Sequence, residues 1–275
     1  MEIKRLALVL ADISGYTKFV KMHTMSLLHA EMIITELLEA VIDQAKYPLT
    51  LIELEGDAAF LCAELGENER EATQDILRQV TEFFGVFTEK EMHLISCDSC
   101  MCEACRNIEK LKLKAIVHCG DVAVNQVRQF ERLAGEDVIL VHRLLKNSVP
   151  AKEYIMMTDA FYKISGGIAG ETPETRLENA EGIGTTKVQV YYPVVDKTFP
   201  TQPVVNFPTP GSEFRTIANR WNNYAQRRMI EHEPRRNFAS LPDKKMTLWS
   251  RFDYFVLSDI ISSLYIRWLK LTKKN

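Results

Sequence analysis

The sequence predicts an α+β fold: a ferredoxin-like sheet of the split βαβ kind carrying helices, then a helical C-terminal extension. Three observations lead there. Apolar runs and helix-spaced segments alternate in the order strand–helix–strand–strand–helix–strand. The middle two strands are joined by a tight Gly56-Asp57 turn, the mark of a hairpin. Pro200, Pro203, Pro208 and Pro210 form a stiff linker, and helical spacing follows them.

The elements follow in order. Residues 3–11 are almost continuously apolar after the opening charges, as expected of a central strand buried on both faces. Asp12 to Thr17 breaks that run, and residues 18–46 carry apolar side chains at helical spacing until Pro48. Residues 49–55 and 58–63 make the hairpin, and 69–90 a second helix. Residues 111–118 read as a strand that Gly120 ends, and Gly135 precedes a helix at about 136–147. A short strand at 153–157, a short helix at 158–164 and a last strand at 187–195 complete the domain, placed at 1–196. The linker is 197–211 and the extension 212–275.

The chain has 275 residues, 46% of them apolar and 26% charged, which excludes disorder over most of its length. Its 34 basic and 37 acidic side chains give a formal net charge of -3, so no nucleic-acid partner is expected. No signal peptide is expected at the N-terminus, and no uncharged stretch reaches the roughly 18 residues of a spanning helix. The expected location is cytoplasmic. Segment 248–271 has a wide apolar face and a basic end at Lys270, Lys273 and Lys274. It reads as a helix docked on the domain or across a dimer, or as a peripheral membrane contact.

Four of the six cysteines, Cys97, Cys100, Cys102 and Cys105, fall within nine residues. In a reducing compartment such a cluster points to metal rather than disulfides. Four thiolates suit a structural tetrahedral zinc with no open position for substrate; an iron–sulfur cluster or redox-active thiols are the alternatives. Cys62 and Cys119 fall on strands and read as core residues, and His118 and His142 as packed, hydrogen-bonded side chains.

Asp12 stands where the first strand ends, and a short turn with Gly15 leads on to a helix. Asp57 stands at the hairpin tip. A split βαβ sheet can bring these carboxylates together beside backbone amides, which is what a magnesium–nucleotide site needs. The plainer alternative is a helix cap and a turn residue.

The full strings extend this reading. Leu10-Ala11-Asp12-Ile13-Ser14-Gly15-Tyr16-Thr17 resembles the opening motif of class III adenylate and guanylate cyclases. Glu53-Leu54-Glu55-Gly56-Asp57-Ala58 resembles their hairpin motif, and Ile116 to Val122, with His118 and Gly120, their later His-Thr-Gly strand end. Gly135 to Leu145 resembles the helix that follows, with Arg143 eight residues after the glycine. The resemblance spans residues 3–195 in the family's order. It implies that Asp12 and Asp57 hold Mg²⁺ or Mn²⁺ in a two-ion site, with the Ile13 carbonyl as a further ligand. The amides of Ser14, Gly15, Tyr16 and Thr17 would hold phosphates of a nucleoside triphosphate. Glu53 and Arg132 fall at the base-selecting positions, and Arg143 matches the catalytic arginine that stabilises charge on the transferring phosphate. A homodimer is implied, because the family's active site lies between two such domains.

Three positions depart from the family pattern. Ile139 replaces an asparagine, Arg132 replaces an acidic or cysteine base selector, and Ile183 falls where a triphosphate lysine belongs, with Lys187 nearby. The expected function is therefore a divergent class III cyclase-like protein that binds nucleotide and metal and turns over slowly. GTP or UTP should bind better than ATP, because Glu53 accepts and Arg132 only donates. The alternative is a catalytically inactive cyclase-homology module with a binding or regulatory role.

Overall fold

The structure, a computed structural model, describes residues 2–21, 27–97, 104 and 107–194. The linker, the C-terminal extension and Cys100, Cys102 and Cys105 lie outside these residues, as does the side chain of Cys97.

Strand β1 (Glu2–Ser14) is central because it can be: Leu6 to Ile13 are buried without interruption, so both faces of the strand need cover. Its neighbours are β3 (Ala58–Glu64) and β4 (Lys112–Val127), both antiparallel to it. Strand β2 (Thr50–Glu55) pairs with β3 through the Gly56-Asp57 turn, with Gly56 at φ 66, a backbone region that favours glycine. The order β2-β3-β1-β4 is the split βαβ arrangement expected from the sequence. Strand β6 (Tyr154–Thr158) continues the sheet parallel to β4, followed by β8 (Gly184–Tyr191) and β7 (Glu174–Ala180) at the far edge. Strand β5 (Phe130–Ala134) pairs back onto β4.

The two faces are covered differently. Ala7, Val9, Ala11 and Ile13 point toward helices α2 (Leu27–Gln44) and α3 (Glu69–Cys97), where Phe83, Phe84 and Phe87 are fully buried. Each such phenylalanine contributes about 1.5–3 kcal/mol of transfer free energy. Helix α5 (Asp159–Ser165) joins this layer through Phe161. Leu6, Leu8 and Leu10, one residue out of phase, face the second layer, where Leu140, Val141 and Leu144 of α4 (Glu136–Leu144) cover them. Helix α1 (Tyr16–Lys21) is a short turn of helix directly after β1.

Three expectations are corrected. The helical stretch expected at 18–46 has different ends: α1 already begins at Tyr16, and α2 ends at Gln44. Helix α3 does not stop near residue 90; Leu94, 4% exposed, prolongs its apolar stripe, and no proline interrupts it. Gly120 does not end a strand; β4 runs through it to Val127. The apolar spacing of the sequence does not predict strands β5 and β7. The turn before β5 lacks glycine and rests on Arg128 at φ 58, while β7 is largely polar.

Candidate functional site

Asp12 lies two residues before the end of β1, on the face that carries Leu6, Leu8 and Leu10. Its cross-strand partner on one side is Ala58, next to Asp57, and on the other side Lys114. The Ile13 N–H donates to the Asp57 carbonyl at 3.0 Å, so the β2–β3 turn is fastened beside the end of β1. Asp12 is 9% exposed, and burial pushes its carboxyl above the usual range while Lys114 pulls it back. Burial, and then the charge of Asp12, push the Asp57 carboxyl up to about 6. A half-buried carboxylate whose proton affinity is raised by burial and by a neighbouring carboxylate marks a site with unspent demand for positive charge.

Lys114 meets part of that demand. Its Nζ lies 3.0 Å from Asp12 Oδ2 and donates to the Leu145 carbonyl at 3.3 Å, just past the end of α4. Ser14 closes β1, and Gly15 adopts φ 97 to turn the chain toward α1. An added Cβ at Gly15 would sit 3.2 Å from the Lys110 carbonyl. The Tyr16 hydroxyl donates to Glu31 of α2 at 3.0 Å, and Glu31 adds to the negative field at Asp57. Thr17 is exposed on α1.

The remaining expected residues are dispersed. Glu53 is exposed on β2, where the pairing with β3 shifts register. Arg132 is exposed on β5 opposite Asn125. Within one chain their strands are separated by β3, β1 and β4. Arg143 lies in the last turn of α4 and pairs with Glu181 at 3.0 Å, both groups well exposed. Ile139 is 52% exposed on the same helix. Ile183 packs against the second core layer, and Lys187 is turned to Asp159 at 3.4 Å.

His118 and His142 are hydrogen-bonded as expected, and each of them ties α4 to the sheet. His118 Nε2 donates to Asp137 at 2.8 Å, and its Nδ1 accepts from the Thr158 hydroxyl at 2.7 Å. Asp137 also accepts the Asp121 N–H at 2.8 Å, and its carboxylate lies where a side chain on Gly120 would be. On the hairpin side, His142 meets Glu55 and the Val138 carbonyl, each at 2.7 Å, with its ring edge-on to Phe60. The alternation of lysine with apolar residues in Leu111-Lys112-Leu113-Lys114 was the signal for Lys114, but only the β1–β4 register shows which lysine meets Asp12.

Among the described residues, no group of three or more His, Cys, Asp or Glu side chains is gathered as for a metal ion. Two carboxylates are nonetheless the usual protein share of a magnesium site, which draws its other ligands from substrate phosphates and water. The donor set at Asp12 and Asp57 therefore fits Mg²⁺ or Mn²⁺. No described helix is long and apolar enough to cross a membrane.

Compared with solved structures, the fold is that of adenylyl and guanylyl cyclase domains. The guanylyl cyclase Cya2 superposes with a TM-score of 0.53 at 12% identity, over 70% of this chain and 94% of that one. A bacterial light-regulated adenylyl cyclase gives 0.52 at 13%, over 71% of this chain and 53% of that one. At such identities the likeness is one of fold. In sequence, the chain is 39% identical over 151 residues to the uncharacterized protein Rv2561/Rv2562 of Mycobacterium tuberculosis, covering 55% of this chain and 69% of that protein. The chain belongs to one family with it, and residues 34–154 match the family model described as a protein of unknown function, DUF2652.

Proposed function

We propose that this chain is a divergent nucleotide cyclase-like protein that binds a nucleoside triphosphate with Mg²⁺ or Mn²⁺ between two copies of itself. The observation that carries the reading is the pairing of Asp12 and Asp57 at one end of the sheet, each raised by burial and Asp57 also by its neighbour's charge. In it the two carboxylates and the Ile13 carbonyl hold the metal, and the amides of residues 14–17 hold phosphates. The bound metal supplies positive charge to the phosphates. Glu53 and Arg132 meet the base, and Arg143 leaves Glu181 to meet charge on the α-phosphate. The reaction is attack of the 3′-hydroxyl on the α-phosphate, forming the cyclic phosphodiester and releasing pyrophosphate. Cys97, Cys100, Cys102 and Cys105 are assigned to structural zinc on their spacing.

A second reading, an inactive module that keeps nucleotide binding, is favoured by Ile139. This apolar, half-exposed side chain offers no hydrogen bond where the family orients ribose or phosphate. Measuring cyclic product from each nucleotide with Mn²⁺ separates the two readings.

The shared claim is tested by Mn²⁺-dependent binding of a fluorescent nucleotide analogue. Asp12→Asn and Asp57→Asn keep the shape of each side chain and remove its charge. Each should weaken binding by about a hundredfold. Competition in the same assay should rank GTP or UTP above ATP. Undiminished binding in both variants would overturn the assignment.

A further inference from the structure

Lys114 is placed where a metal-binding carboxylate would otherwise have only another acid for company. It is the direct cross-strand partner of Asp12, on the face of the sheet that α4 covers. The Asp12–Lys114 ion pair is 3.0 Å long, and the two side chains are 13% and 17% exposed, so water screens it weakly. The Nζ–Leu145 carbonyl bond, at 3.3 Å, fixes the ammonium from the side of α4. A buried ammonium held by a carboxylate and a carbonyl does for Asp12 what a bound cation would do.

We infer that Lys114 competes with the divalent cation for Asp12, so that this lysine sets the metal affinity of the site and is released when metal binds. The inference rests on the assignment of Asp12 and Asp57 as metal ligands. Oδ2 of Asp12 cannot keep its 3.0 Å contact with the ammonium and also coordinate a metal without bringing two positive charges together. The released ammonium also loses its tie between β1 and the end of α4. Metal occupancy is thereby coupled to the helix that carries Arg143.

The experiment titrates the full chain with Mn²⁺ alone, read by electron paramagnetic resonance of the free ion. Lys114→Met, close in length and uncharged, should bind Mn²⁺ roughly tenfold more tightly than the unaltered chain. Equal or weaker affinity overturns the inference. A charge that merely stands nearby could also lower affinity, so release is measured separately. In the unaltered chain, acetic anhydride labelling of Lys114, followed by mass spectrometry, should speed up severalfold at saturating Mn²⁺; an unchanged rate overturns the inference. This measurement needs no variant and holds even if Lys114→Met fails to fold. Asp12→Asn in either background locates the failure. If tight Mn²⁺ binding survives it, the metal assignment of Asp12 is wrong; if binding is lost but Lys114→Met has no effect, only the competition is wrong.

Discussion

Gly120 shows how one residue can hold a helix. A Cβ built there would overlap the Asp137 carboxyl group. That carboxylate cannot swing aside at low cost, because His118 and the Asp121 amide both bind it at 2.8 Å. Gly120→Ala should therefore destabilise the chain by about 1–3 kcal/mol, the usual range for overpacking. Urea unfolding checks it, and a midpoint equal to that of the unaltered chain would contradict the reading. At this scale, Asp12 and Asp57 were legible in the sequence because a carboxylate at a strand end and another in a hairpin turn are local signals. Lys114 was not, because its role depends on which residue of β4 faces Asp12. Gly120 stands out in the sequence, but the reason for it does not. A glycine in a strand can end it or admit a neighbour, and only the approach of α4 decides between them.

At the scale of elements, the long apolar or helix-spaced segments were readable, and the polar edge strands were not. Strand β1 and helices α2 and α3 each bury a stripe that shows in the spacing. Strand β5 is held by backbone pairing with β4, and β7 by pairing with β8 and the bond from the Thr175 hydroxyl to Gln189, so their sequences carry little apolar signal. The His118 network is the joint between β4, α4 and β6, and it makes stability depend on pH. Burial lowers the His118 pKa below its ordinary value, while Asp137 opposes this and Arg5 adds to it. Below about pH 6.5 the unfolded chain takes up a proton that the folded ring refuses, so this ring's contribution to stability falls as pH falls. Asp57 acts in the opposite sense, since its carboxyl, pushed up to about 6, binds a proton more readily when folded. Comparison with His118→Gln isolates the histidine: the variant should lose less stability than the unaltered chain between about pH 7.5 and 5.5 in urea unfolding. Equal losses would show that the ring is not kept neutral by the fold.

For the whole molecule, the question is whether one chain can form a closed site. Phosphoryl chemistry depends on charges held in place away from water. In one chain Glu53 and Arg132 are exposed, and the Arg143 side chain is 42% exposed. Leu54 and Ile139, on β2 and α4, expose 53% and 52% of their surface, which suits burial against another copy. If the nucleotide lies between two copies, it binds the dimer and not the monomer, and mass action requires it to strengthen dimerisation. At about ten times its dissociation constant, each bound nucleotide should tighten the dimer roughly tenfold. Sedimentation of the full chain at several concentrations, with and without Mn²⁺ and GTP, measures this. Asp57→Asn should remove the nucleotide effect while leaving any intrinsic dimerisation in place. An association constant that is the same with and without nucleotide, under conditions where binding is shown independently, would place the site within a single chain.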